Sequence, residues 1–315
     1  MSNSRTSSFI VQNGQFIAYE DAVVHVMSPA IKYGLAVFEG LRVYPGHDNC
    51  GVYVFRLQEH IDRLFQSMKL LRFDAPFDAA EISNNLLELL RRNEVRTDAH
   101  IRVIAYIDGT GEMQASGPVS YCIAAHEMPR TSRIEKGIRC QVSSWVRISD
   151  NAMPPRVKCS ANYVNSRLAR FQAIQDGYDE AVLLNASGKV AEAPGTCIFH
   201  VRYGKLVTPD VVSGILESIT RDTVIVLAKE LGLGCVERSV DKTELYAADE
   251  VFLVGSAAEI LPVIAIDGIS IGAGVPGPIT RKLQTAYFAA VSGVDGDQRH
   301  WLTPVHAIRE TQVRV

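Results

Sequence analysis

Met153-Pro-Pro-Arg-Val-Lys158-Cys-Ser-Ala-Asn-Tyr163 is the stretch on which the reading of this chain turns. Its lysine follows two prolines and an Arg-Val pair and precedes three small residues, Cys159, Ser160 and Ala161, just ahead of a helical pattern at about Asn162–Asp176. Small neighbours leave room for a ligand. A lysine in a partly desolvated pocket has a lowered pKa and forms Schiff bases, whereas an exposed one stays protonated and is a poor nucleophile. The residues alone leave Lys158 open between a reactive amine and an ordinary solvated lysine.

Outward from that stretch, the chain has 315 residues, 47% hydrophobic and 21% charged, enough for two moderate cores. A net charge of -3 with interspersed signs supplies no basic stripe, so nucleic acid is excluded as a partner and a small-molecule substrate is expected. No segment reaches the ~18 uninterrupted apolar residues of a membrane span, and the opening MSNSRTSSFIVQNGQF lacks the apolar core of a secretory leader. A cytoplasmic location is the expectation. Cys50, Cys122, Cys140, Cys159, Cys197 and Cys235 lack CxxC spacing, which reads as free thiols and no metal site.

Before residue 127, strand-like runs at Val52–Phe55 and Ile101–Ile107 flank two amphipathic helices. The first places Leu57, Ile61, Leu64, Phe65, Met68 and Leu71 on one face; the second, Ala79 to Asn93, repeats this with Ile82, Leu86, Leu87 and Leu90. Around His126–Lys136 the text turns polar and carries a proline, which marks a linker. Beyond it, strand-like runs at Glu180–Asn185, Cys197–Val201 and Val251–Val254 alternate with helical patterns, and the turns Asn185–Gly188 and Arg202–Lys205 signal hairpins. The expectation is an α+β chain: a small N-terminal α/β domain over 1–126, an interdomain loop over 127–136, and a larger, mainly antiparallel sheet or barrel domain with helices over 137–315.

Three other groups carry candidate chemistry. Ser218, Ile219 and Thr220 stand at a helix start, which is either a phosphate-binding cup or an ordinary cap. Glu192 precedes the tight turn Ala193-Pro194-Gly195-Thr196; a carboxylate held there can protonate a ring nitrogen, and a solvated turn glutamate is the plain alternative. Arg56, His60 and Arg63 fall near one helix face, able to hold a phosphate dianion or simply solvated. HExxH, P-loop, GxSxG and dinucleotide GxGxxG patterns are absent from a strand-turn-helix context, so metalloprotease, NTPase, esterase and Rossmann dehydrogenase readings lack support.

The order of these signals, from about Phe9 to Phe288, resembles that of the branched-chain aminotransferases, pyridoxal-phosphate (PLP) enzymes of fold type IV and class IV. The resembling text includes Val11–Tyr44, Val52–Leu64, Val142–Tyr163, GKVAEAPGTCIF at Gly188–Phe199, SITRDTVIVLAKELG at Ser218–Gly232 and ADEVFLVGSAAEILPV at Ala248–Val263. The resemblance implies PLP as cofactor, with Lys158 as its Schiff-base lysine and Tyr163, five residues on, bonded to its phenolic oxygen. It implies Glu192 at the pyridine nitrogen, Leu216 against the ring, and Arg63, Ile219, Thr220 and Ser256 at the phosphate. Tyr33, Phe38, His100 and Arg102 would line the substrate pocket, and the Ser256-Ala257-Ala258 turn would receive the α-carboxylate.

The resemblance implies a ping-pong aminotransferase acting on branched-chain or other apolar L-amino acids and 2-oxoglutarate, working as a homodimer. His100 replaces an expected tyrosine, the interdomain loop lacks the expected Trp and Tyr, Ser218 stands for Gly, and Thr196 stands for a second acid. These departures keep open a transaminase for (R)-amines, D-amino acids or a non-proteinogenic amino acid, and beyond it an aminodeoxychorismate-type lyase.

Overall fold

The computed structural model describes Ser8–His47, Gly51–Val294, Gly296 and Arg299–His306. Cys50 and, of the opening residues read for a leader, Met1–Ser7 lie outside the described residues. The chain divides into two compact units, one formed by Met1–Pro129 with Phe288–Val315 and the other by Arg130–Tyr287. The tail from Phe288 thus groups with the first unit, whereas the expected second domain runs over 137–315. The return of the tail has a physical cause: the strand Leu302–Pro304 pairs with Tyr53–Phe55, and Trp301 packs edge-on against Phe55 at 5.8 Å between ring centroids.

In the first unit, strands β1 (Phe9–Gln12), β2 (Gln15–Ala18), β3 (Ala36–Pro45), β4 (Val52–Phe55), β5 (Ala99–Ile107) and β6 (Val119–Glu127) join that late strand in a seven-stranded sheet. Its order is late strand-β4-β3-β5-β6-β1-β2, antiparallel throughout. The register Phe38↔Ile104, Gly40↔Arg102 and Arg42↔His100 puts these even-numbered residues on one face. Odd-numbered Val37, Glu39, Leu41 and Val43 therefore face the other way.

After the short helix α1 (Pro29–Tyr33), two helices follow the expected pattern. Helix α2 (Leu57–Leu70) buries Leu57, Ile61, Leu64 and Met68, and α3 (Ala79–Arg92) buries Ile82, Leu86, Leu89 and Leu90. Leu89, rather than the expected Leu87, completes the apolar stripe of α3. Asp78 starts that helix by accepting the Glu81 N–H at 2.8 Å.

The second unit begins with α4 (Arg133–Lys136), a single turn inside the stretch expected to be loop. Its strands are β7 (Ile138–Val146), β8 (Glu180–Leu184), β9 (Cys197–Arg202), β10 (Lys205–Thr208), β11 (Cys235–Glu237), β12 (Glu250–Gly255), β13 (Glu259–Ile266) and β14 (Ile269–Ser270). They form one sheet in the order β11-β10-β9-β12-β13-β7-β8, with β14 beside β13. The pairs β10/β11, β13/β7 and β7/β8 are parallel; the others are antiparallel, so the two sheets together are mainly antiparallel. The expected turn at Arg202–Lys205 joins β9 to β10, with Tyr203 and Gly204 at φ 51° and 71°, the left-handed pair that tight hairpins favour. The turn at Asn185–Gly188 forms too, but its second arm is only the bridge Leu184↔Val190.

Helices α5 (Asn162–Gln175), α6 (Ile219–Glu230) and α7 (Lys242–Tyr246) belong to this unit, and α8 (Pro278–Ser292) starts in it. The core gathers inward residues of the strands, among them Cys140, Val182, Val190, Ile198, Val251, Leu253 and Val263. Among the described residues no helix is long and apolar enough to cross a membrane, and no group of His, Cys, Asp and Glu has a metal-binding arrangement.

Helix α8 starts on a buried carboxylate. Glu250 accepts the Ile279 N–H at 2.9 Å and the Thr280 N–H and hydroxyl at 2.7 and 2.6 Å. These are donors that a helix start would otherwise leave open. Glu250→Ala is expected to destabilise the second unit by about 1–3 kcal/mol, read as a lower thermal unfolding midpoint; an unchanged midpoint would refute this role.

Candidate active site

Lys158 sits in a tight loop whose shape is set from both sides. Val157 N donates to Pro154 O at 3.1 Å, Cys159 N to Val157 O at 2.9 Å, and the buried Asn162 side chain donates to Pro154 O and Val157 O at 3.2 and 3.0 Å. That amide clamps the loop to the first turn of α5. The clamp brings the half-buried Lys158 Nζ to 2.8 Å from the hydroxyl of Tyr163, one residue into the helix.

Glu192 is 6% exposed, not a solvated turn residue. Its backbone is stitched to β8, with Leu183 N donating to Glu192 O and Ala191 N to Leu183 O, both at 2.9 Å. Its carboxylate meets Arg147 Nη2 at 2.6 Å through Oε1 and accepts the Leu216 N–H at 3.0 Å through Oε2. Burial pushes its pKa up, opposed first by Arg147 and then by the Leu216 N–H, Lys158 and Cys197. Arg147 is a site residue outside the expected set. The available signal was that a buried carboxylate needs a partner and that an arginine directly follows the alternating strand β7.

Ser218 caps α6, its hydroxyl accepting the Arg221 N–H at 3.2 Å. Ile219 and Thr220 follow as buried first-turn residues, where N–H groups lack intrahelical acceptors and the helix dipole favours an anion. Ser256 opens the turn between β12 and β13, followed by the exposed Ala257. Gly255, just before it, is closely packed: a Cβ there would meet Thr196 Cγ2 at 3.0 Å and Gly195 O at 3.2 Å, so its neighbours would have to give way. The glycine thus lets the turn after Glu192 lie against the Ser256 turn. Thr196 Oγ1 is buried without a hydrogen-bond partner among the described residues.

The remaining candidates belong to the first unit. On the sheet face of its even-numbered strand residues, Arg102 stacks over Phe38 at 4.5 Å, and the buried His100 ring lies 5.2 Å from His126. Gly40 makes room for that imidazole, since a Cβ at Gly40 would approach His100 Nε2 at 2.9 Å. Tyr33, at the end of α1, donates its hydroxyl to Glu112 at 2.9 Å.

Arg56, His60 and Arg63 do not form a solvated face, since all three are buried. Arg56 precedes α2 at φ 53°, pairs with Glu59 at 2.7 Å and lies over Trp301. Arg63 Nε and Nη2 instead grip the fully buried Glu39 at 2.7 and 2.8 Å, and His60 Nδ1 lies 2.7 Å from the same carboxylate. Glu39 faces α2 because it is an odd-numbered residue of β3, a consequence of register that the helix pattern alone did not contain.

A class IV amino-transferase family model matches residues 36–266. A probable branched-chain-amino-acid aminotransferase of Aquifex aeolicus is 41% identical over 97% of this chain and 99% of its own length. The chain belongs to the branched-chain aminotransferase family of class IV. Among solved structures, the branched-chain aminotransferase of Thermobaculum terrenum in its PLP form is 45% identical, with a TM-score of 0.88 over 96% of this chain and 99% of that one. The branched-chain aminotransferase of Thermoproteus uzoniensis, solved with norvaline, is 42% identical with a TM-score of 0.90, covering 95% of this chain and 100% of that one. Fold-type IV architecture is thereby established for this family member.

Burial alone would raise the Glu39 pKa, but Arg63 and then His60 outweigh it and hold the carboxyl well below its ordinary value. A depressed folded-state pKa stabilises above the unfolded-state value of about 4.3, and the contribution fades as pH falls below it. Wild type should therefore exceed Glu39→Gln in thermal midpoint by a constant margin from neutral pH to about pH 5, and the margin should narrow below about pH 4. A margin that does not change with pH would contradict the charged cluster.

Proposed function

We propose that this chain transfers the amino group of a branched-chain or other apolar L-amino acid to 2-oxoglutarate by a ping-pong cycle, with PLP carried on Lys158. The observation that carries the reading is the Lys158 amine, held 2.8 Å from a phenol in the unit that also contains a buried carboxylate and the start of α6. That donor set fits PLP group by group: an amine for its aldehyde, a phenol for its ring oxygen, a carboxylate for its ring nitrogen, and N–H groups for its phosphate. Gly255 supports the fit, because a side chain there would push apart the turns that carry Glu192 and Ser256.

When bound, PLP supplies an electrophilic carbon that links to amines and a ring that takes up electron density as a Cα–H bond breaks. The protein does the rest. Lys158 Nζ is the nucleophile that holds the cofactor and, once displaced by the incoming amine, the base that takes the α-proton. Tyr163 fixes the direction of that amine. Glu192 keeps the ring nitrogen protonated, the Ile219 and Thr220 N–H groups and the Ser256 hydroxyl bind phosphate, and Leu216 packs on the ring. The Ser256-Ala257-Ala258 turn offers N–H groups to the substrate carboxylate.

From the first unit, family resemblance supports Arg63 as a phosphate ligand and Tyr33, Phe38, His100 and Arg102 as substrate contacts. It also supports a homodimer acting in the cytoplasm on a small amino donor and a keto acid. A second reading, in which the donor is an (R)-amine or D-amino acid, is favoured by one observation: a buried imidazole at His100, 5.2 Å from a second at His126, brings polar donors where the family has a phenol.

Lys158→Ala should abolish multiple turnover while the protein still binds PLP noncovalently, measured by transamination and by filter retention of the cofactor. Near-normal turnover would refute the role of Lys158. In a donor screen that follows the bleaching of the PLP-loaded protein's visible band, Leu, Ile and Val should react faster than D-amino acids and arylalkylamines. His100→Tyr should sharpen that preference; reaction with an amine or D-amino acid alone would overturn the leading reading in favour of the second.

A further inference from the structure

We propose that Arg147 is a positioning residue for the reaction: by clamping Glu192 from behind, it keeps that carboxylate charged and aimed as the partner of the cofactor's ring nitrogen. The inference rests on the assignment of Glu192 to the ring nitrogen and deepens it. Neither residue of the pair is more than 6% exposed. A carboxylate so buried favours its neutral form, which offers a proton instead of accepting one and leaves a pyridinium without a counter-charge. Arg147 Nη2, 2.6 Å from Oε1, supplies the opposing positive charge, while Oε2 is oriented by the Leu216 N–H.

The guanidinium is itself held from several elements. The Arg147 backbone N donates to Leu184 O at 2.8 Å at the edge of β8, and Nε donates to Gly214 O at 3.1 Å. Nη1 reaches the Ser166 hydroxyl of α5 at 3.5 Å. Gly214, at φ 89°, places that carbonyl by a left-handed turn, and a Cβ there would already touch Arg147 Cγ at 3.7 Å. A planar fork can satisfy Gly214 O, Ser166 and Glu192 together, whereas a lysine ammonium reaches one of these points at a time. The other groups acting on Glu192 are Lys158 and the Cys197 thiol, whose sulfur is 3.8 Å from Oε2. A cavity of about 280 Å³ is lined by Arg147, Ser149, Asp150, Arg156, Asn185 and Gly214.

The test uses full-length protein loaded with ¹⁵N-labelled PLP and reads the ring-nitrogen resonance by NMR, beside kcat and KM. Wild type should show a protonated ring nitrogen. Arg147→Met should move the resonance toward the unprotonated position and lower kcat on the order of 10²-fold with little change in KM, and Arg147→Lys should fall between. Glu192→Gln should move the resonance similarly, and adding Arg147→Met to it should change nothing further. In Arg147→Ala, millimolar methylguanidine should restore the wild-type resonance. A wild-type resonance in Arg147→Met would overturn the proposal, as would an equal further shift in the Glu192→Gln background. If Arg147→Met does not fold, a fully wild-type resonance and kcat in Arg147→Lys overturns it instead. Failure of wild type to attach PLP would count against the cofactor reading; attachment with an Arg147-independent ring nitrogen counts only against this one.

Discussion

A carboxylate that leaves water must meet positive charge or N–H donors, and in this chain that requirement ties distant segments together. Glu192 satisfies it through Arg147 and the Leu216 N–H, which joins the end of β7, the turn before β9 and the loop leading to α6. Glu39 satisfies it through Arg63 and His60, fastening α2 to β3, and Glu250 through the first N–H groups of α8. Each pairing is local chemistry with a long-range structural result. Removing one member leaves the other buried and uncompensated, a far larger penalty than the loss of an exposed ion pair.

The same economy of parts shapes the chemical end of the second unit. Lys158 lies in a loop, but the Asn162 amide pins that loop to α5, and the amine is hydrogen-bonded to the Tyr163 phenol on the same helix. Glu192 follows strand β8 through backbone bonds, and Gly255 allows the next turn to approach within van der Waals contact. Rigid elements thus present an amine, a carboxylate and a helix start, and such placement is what catalysis by positioning requires.

The helices were legible because their apolar periodicity is strong: Leu57, Ile61, Leu64 and Met68 are buried on α2 as their spacing requires. Lys158 was legible as an interesting lysine from its small neighbours, and the order of motifs around it carried the family. Arg147 and Glu39 were not. A partner across a sheet depends on register and burial, and neither leaves a periodic trace in one sequence. The partner of the basic residues on α2 was hidden for the same reason, since Arg63 and His60 meet a carboxylate on β3. The tail was misplaced because three residues, Leu302–Pro304, are too short a strand to announce their partner.

The central claim is that Lys158 is the amine that carries the cofactor. The most direct measurement is borohydride treatment of the PLP-loaded protein, which fixes the cofactor to whichever amine holds it, followed by peptide mass spectrometry. The account requires a phosphopyridoxyl label on the peptide containing Lys158, next to Cys159. A label on a different lysine, or no label on a protein that retains transaminase activity, would contradict it.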